Sequence, residues 1–273
     1  MSQLESRVTA RYGGASGTGD LPESNAILDQ LLRHRSVRAY LPQALPPGTL
    51  EAIVTAAQSA STSSNLQAWS LVAVEDPARK ARLATLAANQ AHVRDAPLFL
   101  VWLADVARLG CVARSMGEVA EGLDYLEALL LGVIDAALAA QNAVVALESL
   151  GLATVFIGAI RNRSEDVAAE LALPPGVFPV FGMCVGYEDP SRRAEVKPRL
   201  PRGAVLHREQ YALEGQLPLV RDYDAVMARF WASQGMQQGE WSRTAVNRVK
   251  NAASLHGREK LVAALHRMGF LLR

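Results

Sequence analysis

Cysteine is almost missing from this chain. Cys111 and Cys184 are the two in 273 residues, far apart and in no CxxC pair. That excludes a disulfide framework and points to a reducing, cytoplasmic compartment. Cys184 sits in an apolar run and reads as buried packing, and no activating base lies beside Cys111 in the sequence. There is no HExxH and no His-rich spacing, so no metal site is expected and His92 reads as structural. An excess of one charge is absent as well. A net charge of +1 argues against a general polyanion binder. No long apolar run is uninterrupted: residues 126–150 carry Asp135, Gln141, Asn142 and Glu148. A membrane span would rarely bear that load, so this is read as a buried helix of a soluble protein. Residues 1–5 lack the apolar core of a secretory signal. No nucleophile triad or acid–base pair stands out. The glycine patch at 13–19 follows no strand, its spacing fails at Pro22, and no Gly-Lys-Ser/Thr comes after it. These features argue against a phosphate loop, and residues 1–23 are expected to form a flexible extension.

What is present is half hydrophobic residues, enough for a sizeable core. Strands are expected at 70–75, 97–104, 153–157 and 179–187, separated by helices at 49–60, 78–88 and 123–150 and by one that Ser164 caps and that runs to Leu171. Asp76-Pro77 supplies a cap and a first-turn proline for the second of these helices. Residues 108–121 are the least regular and read as a mobile loop or lid. The longest helix, 123–150, is apolar on almost every face. Its small residues Ala136, Ala137, Ala139, Ala140 and Ala143 allow close approach, and a dimer interface would bury it most easily. Residues 222–273 read as helical. From Trp241 onward they carry seven Arg and Lys, including Arg258, against Glu259. The whole is an α+β architecture.

Two basic clusters carry the chemistry. His34-Arg35-Ser36-Val37-Arg38 follows the helical apolar spacing Ile27-Leu28-Leu31-Leu32. It gathers polar donors without an acceptor-only group, and Arg presents a planar fork that matches a phosphate. Roughly 160 residues downstream, Lys197-Pro198-Arg199-Leu200-Pro201 is held extended by its prolines, with Lys197 and Arg199 on one side.

Together these clusters resemble those of the nitroreductase superfamily of FMN flavoproteins, and most closely its oxygen-insensitive NADPH nitroreductase and flavin reductase subgroup. The resemblance runs from about Leu31 to the C-terminus. It implies a nitroreductase-like fold, a mainly antiparallel sheet flanked by helices, in an intertwined homodimer, with residues 24–273 as one FMN-dependent domain and 222–273 as its helical end. It implies that His34, Arg35, Ser36, Arg38, Lys197 and Arg199 hold the FMN phosphate and ribityl chain. It places Thr62, Gln90 and the segment Phe156, Ile157, Gly158 and Ala159 against the isoalloxazine, with Ser63, Ser64 and Arg258 toward the substrate. Two departures are mild: Thr62 stands where the family has serine, and Ala159 where a second glycine is usual. A third bears on the electron donor. The subgroup has arginines before the tryptophan matched by Trp241, whereas this chain has Gln234, Gln237 and Gln238. The lack of cations there for a 2′-phosphate leaves room for NADH use or relaxed selectivity.

The implied activity is two-electron reduction of a small-molecule acceptor (a nitroaromatic, a quinone or free flavin) by NADPH or NADH. With no Rossmann fingerprint, the nicotinamide donor would dock where the acceptor later binds. The implied kinetics are ping-pong, with flavin N5 carrying the hydride and no protein residue doing so. Two alternatives stay open at the level of sequence: a flavoprotein of the same fold with fragmenting or dehalogenating chemistry, and a dimeric helical protein using its basic end on nucleic acid.

Overall fold

A computed structural model describes residues 3–14, 23–237 and 239–273. In chain order the helices are α1 (Gln3–Tyr12), α2 (Ala26–Arg33), α3 (Thr49–Gln58), α4 (Pro77–Leu86), α5 (Ala91–Asp95) and α6 (Ala107–Ser115). They continue with α7 (Leu126–Ser149), α8 (Ser164–Glu170), α9 (Gln216–Ser233), α10 (Trp241–Val249) and α11 (Leu261–Arg267). The strands are β1 (Trp69–Val74), β2 (Leu98–Asp105), β3 (Ala153–Ile157) and β4 (Val177–Gly186). The chain forms two compact units, one of Met1–Arg35 with Glu195–Ser254 and the other of Ser36–Ala194 with Leu255–Arg273.

The larger unit is an antiparallel sheet ordered β1-β2-β4-β3. All eight residues of β2 are buried, which is why this apolar run occupies an inner position. Alternation sorts its side chains. Leu98, Leu100 and Trp102 pack with Ala139, Ala140, Ala143, Val144 and Leu147 of α7, whose small residues let the helix lie close. Phe99, Val101 and Leu103 pack on the other face with Leu83, Ala84 and Val93. Pro179 enters β4 where the register with β2 shifts at Trp102 and Leu103, a place where a lost ladder bond is tolerated.

The smaller unit is helical. Asn25 caps α2 by accepting from the amides of Ile27 and Leu28. Tyr223, Met227 and Trp231, four apart on α9, are buried against Leu200 and Trp241. Asp224 receives the amide and hydroxyl of Ser242, both at 2.7 Å, and so fixes the start of α10.

Four expectations change. Residues 3–12 of the supposed flexible extension form α1, and Ala15–Pro22 lie outside the described residues. Residues 107–115 form α6 rather than an irregular loop. Its start is fixed by Asp105 at the end of β2, which accepts from the Arg108 amide (3.2 Å) and the Ser70 hydroxyl (2.5 Å). Helix α8 begins at Ser164 itself, with no side-chain cap. Helix α7 is long and apolar enough to cross a membrane, yet half of its most apolar stretch is buried. Within this chain it is not covered on every face: Leu126, Leu130, Ile134 and Leu138 are each 43–52 % exposed.

Candidate functional site

In the smaller unit, His34 caps the C-terminus of α2 and Arg35 follows it, both half-buried. The downstream strip behaves as its prolines dictate. Pro198 is buried between the exposed Lys197 and Arg199, so the two cations share the open side. The Tyr223 hydroxyl donates to the Pro198 carbonyl at 2.9 Å and anchors the strip to α9. One guanidinium ties both segments together. Arg11 Nη2 donates to the carbonyls of Leu32 (2.9 Å) and His34 (2.8 Å), and Nη1 donates to that of Lys197 (3.3 Å). The Arg11 carbonyl in turn accepts the Arg199 amide at 2.9 Å. Two cationic stretches roughly 160 residues apart in sequence are thus held on one fork.

In the larger unit, the segment after Arg35 runs beside β3. Ser36 bridges Thr154, and the Val37 amide donates to the Thr154 carbonyl at 2.9 Å. With Val37 buried, Arg38 is left exposed. Burial lowers the His92 pKa, and the nearby Arg38 charge lowers it further. At the end of β3, Ile157 and Ala159 turn into the core, so only their backbones can meet a ligand. Phe156 faces outward at 39 % exposure, edge-on to Phe181. Gly158 opens a 3-10 turn through Arg163. Asn162 in that turn accepts from Arg258 Nε at 2.9 Å. This approach needs Gly257: at φ +94°, a Cβ there would lie 2.6 Å from the Asn162 carbonyl oxygen. Arg258 is therefore held against the turn that continues from the 156–159 segment. Gln90 stands half-buried at the start of α5.

The hydroxyl loop after α3 is governed by a residue whose role the sequence did not disclose. Asp135 of α7, 2 % exposed, accepts from the Thr62 hydroxyl (2.6 Å), the Ala68 amide (2.9 Å) and the Ser63 amide (3.3 Å). It holds a loop in which Ser64, Asn65 and Gln67 all have left-handed φ near +50°. Ser63 and Ser64 are exposed. Thr62 also accepts the Gln67 amide at 3.0 Å. Its one hydroxyl hydrogen and one lone pair are therefore committed, and it meets a ligand as an acceptor. An acidic residue in an apolar helix was the available signal, but it counted only against a membrane span. Arg11 gave no signal, because it lies in the stretch expected to be unstructured. The basic C-terminal run is mostly satisfied internally. Arg267 pairs with Glu165, Arg273 with Glu121, and Arg248 donates to the Ser254 carbonyl.

The profile of the nitroreductase family matches residues 31–187, and that of its C-terminal domain matches residues 197–273. The chain belongs to the nitroreductase family. It is 37% identical over 231 residues to an FMN reductase (NADPH) of Bacillus subtilis, covering 83% of this chain and 92% of that one. It is 36% identical over 250 residues to the oxygen-insensitive NADPH nitroreductase of Salmonella typhimurium, covering 90% and 98%. The NADPH:FMN oxidoreductase from Vibrio harveyi, solved in complex with NAD+, superposes with a TM-score of 0.81 at 33% identity, covering 91% of this chain and all of that one. The α+β fold with its antiparallel sheet is that of the nitroreductase family.

Proposed function

We propose that this chain is an FMN-dependent NAD(P)H oxidoreductase that reduces nitroaromatics, quinones or flavins by two electrons. One observation beyond family membership carries the reading: the His34 and Lys197 segments, which resemble the family's two phosphate-holding stretches, are clasped by one guanidinium. The donor set fits a phosphate. Within the smaller unit, Arg35, Lys197 and Arg199 supply charge against a group of about −2, with His34 as a further donor; Ser36 and Arg38 are assigned to the same phosphate by their resemblance to the family's stretch.

FMN, held there, would supply the redox chemistry that relays hydride between the nicotinamide and the acceptor. The residues orient and exclude. The Thr62 oxygen has one lone pair left, suited to a ring N–H, while the Gln90 amide can both give and accept along a pyrimidine edge. Phe156 and the backbone of Ile157, Gly158 and Ala159 offer an apolar wall. Ser63, Ser64 and Arg258 are assigned to the acceptor and the nicotinamide donor.

The exposed stripe of Leu126, Leu130, Ile134 and Leu138 supports a homodimer with α7 at its interface. The unpaired cysteines, Cys111 exposed and Cys184 buried, support a cytoplasmic setting. The test is direct. Purified protein should be yellow with flavin absorption bands, and should oxidise NADPH or NADH only when nitrofurazone, a quinone or free flavin is supplied. Colourless protein that takes up no FMN would refute it.

A further inference from the structure

The family profile begins at residue 31, so α1 lies outside it. Within the smaller unit, α1 is nevertheless packed: Val8 is 3 % and Arg11 9 % exposed. The chain leaves the helix through Gly13, at φ +70°, where a Cβ would fall 2.2 Å from Val226 and 3.3 Å from Pro198. The exit of α1 is thus pressed between α9 and the Lys-Pro-Arg strip. Arg11 projects from this end onto three carbonyls, two at the end of α2 and one at Lys197. Its own carbonyl takes the Arg199 amide.

We propose that α1 is an N-terminal clasp, and that Arg11 is a positioning residue that pre-organises the flavin-phosphate cradle. This deepens the reading above and rests on it. The guanidinium is a rigid fork whose bonds have fixed mutual directions. By bonding the backbones that carry His34 and Lys197, it sets the spacing of two cation-bearing segments before any ligand arrives. A cradle assembled in advance spares the ligand the cost of ordering it, and that saving appears as affinity. The contacts are to backbone carbonyls, so the effect falls on the phosphate end of the ligand and not on the ring.

Riboflavin, which has the same ring and no phosphate, separates the two ends. Fluorescence titration of the full-length apoprotein would give dissociation constants for FMN and riboflavin in wild type, Arg11→Gln and Arg11→Lys. We expect R11Q to weaken FMN about tenfold or more while riboflavin changes by less than about twofold. R11K, which keeps the charge but loses the fork, should fall between. If R11Q does not fold, R11K provides the same comparison. An unchanged FMN constant, or an equal loss of FMN and riboflavin, would overturn the clasp and leave the FMN assignment standing. A wild-type protein that binds FMN no better than riboflavin would instead sink the phosphate cradle itself, and the clasp with it.

Discussion

Replacing Asp135 isolates what holds the loop beside the proposed ring site. Its Oδ2 accepts from both Thr62 and Ala68, and its Oδ1 from Ser63 at a longer 3.3 Å. In Asp135→Ala the Ala68 amide is stranded in a site where Ala68 is 2 % exposed. A stranded buried donor costs about 1–3 kcal/mol. The half-buried Thr62 hydroxyl can turn to water and loses about 0.5–1.5 kcal/mol. Ser63 is exposed and adds little. The sum is roughly 1.5–4.5 kcal/mol. Asp135→Asn keeps one oxygen, which can take the Oδ2 position and retain both stronger bonds, so its cost is about 1 kcal/mol. Urea unfolding of the two apoproteins, followed by circular dichroism, reads the difference directly. A second consequence follows from backbone strain. Ser64, Asn65 and Gln67 hold left-handed conformations that relax once their anchor is gone, so D135A should also bind FMN more weakly than D135N. If alanine and asparagine destabilise equally, or alanine costs less than about 1 kcal/mol, the carboxylate does not organise this loop.

Three further outcomes are expected. With Gln234 and Gln237 where the subgroup has arginines, and Gln238 outside the described residues, kcat/KM for NADPH and NADH should agree within about tenfold, and Gln237→Arg should shift the ratio toward NADPH by a similar factor, as steady-state kinetics will show. Ile134→Glu places a charge in the exposed α7 stripe and should turn a dimer into a monomer by light scattering, whereas a wild type that is monomeric at every concentration would remove the premise. His92 has a pKa below its ordinary 6.5, so the unfolded chain takes up the proton first as pH falls. Stability should therefore decline from about pH 6.5 downward and be unaffected above it. His92→Gln should flatten that part of the profile in thermal melts, and an unchanged acid slope would refute the assignment.

Much of this was legible from local pattern. β2 announced itself as a wholly apolar run, and Asp76 does cap α4, accepting from the Arg79 amide at 2.7 Å. The Lys-Pro-Arg strip was readable because proline restricts its neighbours whatever surrounds them. The misreadings share a cause. α6 lacks a clear apolar face, and its start depends on Asp105 and on Ser70 of a neighbouring strand. α1 is polar, and its order comes from the burial of Val8 and from Arg11 meeting Lys197, far away in sequence. Asp135 was visible as an acid in an apolar helix, but its partners lie about 70 residues earlier. Where tertiary contacts rather than periodicity decide, one-dimensional reading has nothing to read.

The affinity of the wild-type apoprotein for FMN relative to riboflavin weighs the proposed cationic cradle most directly, with Arg38→Ala beside it. Several charge-assisted bonds of roughly 1.5–3 kcal/mol each should favour FMN by about a hundredfold or more, and R38A should give back about tenfold of that while leaving riboflavin unchanged. Equal affinity for the two flavins, or an R38A protein that prefers FMN as strongly as wild type, would contradict the account.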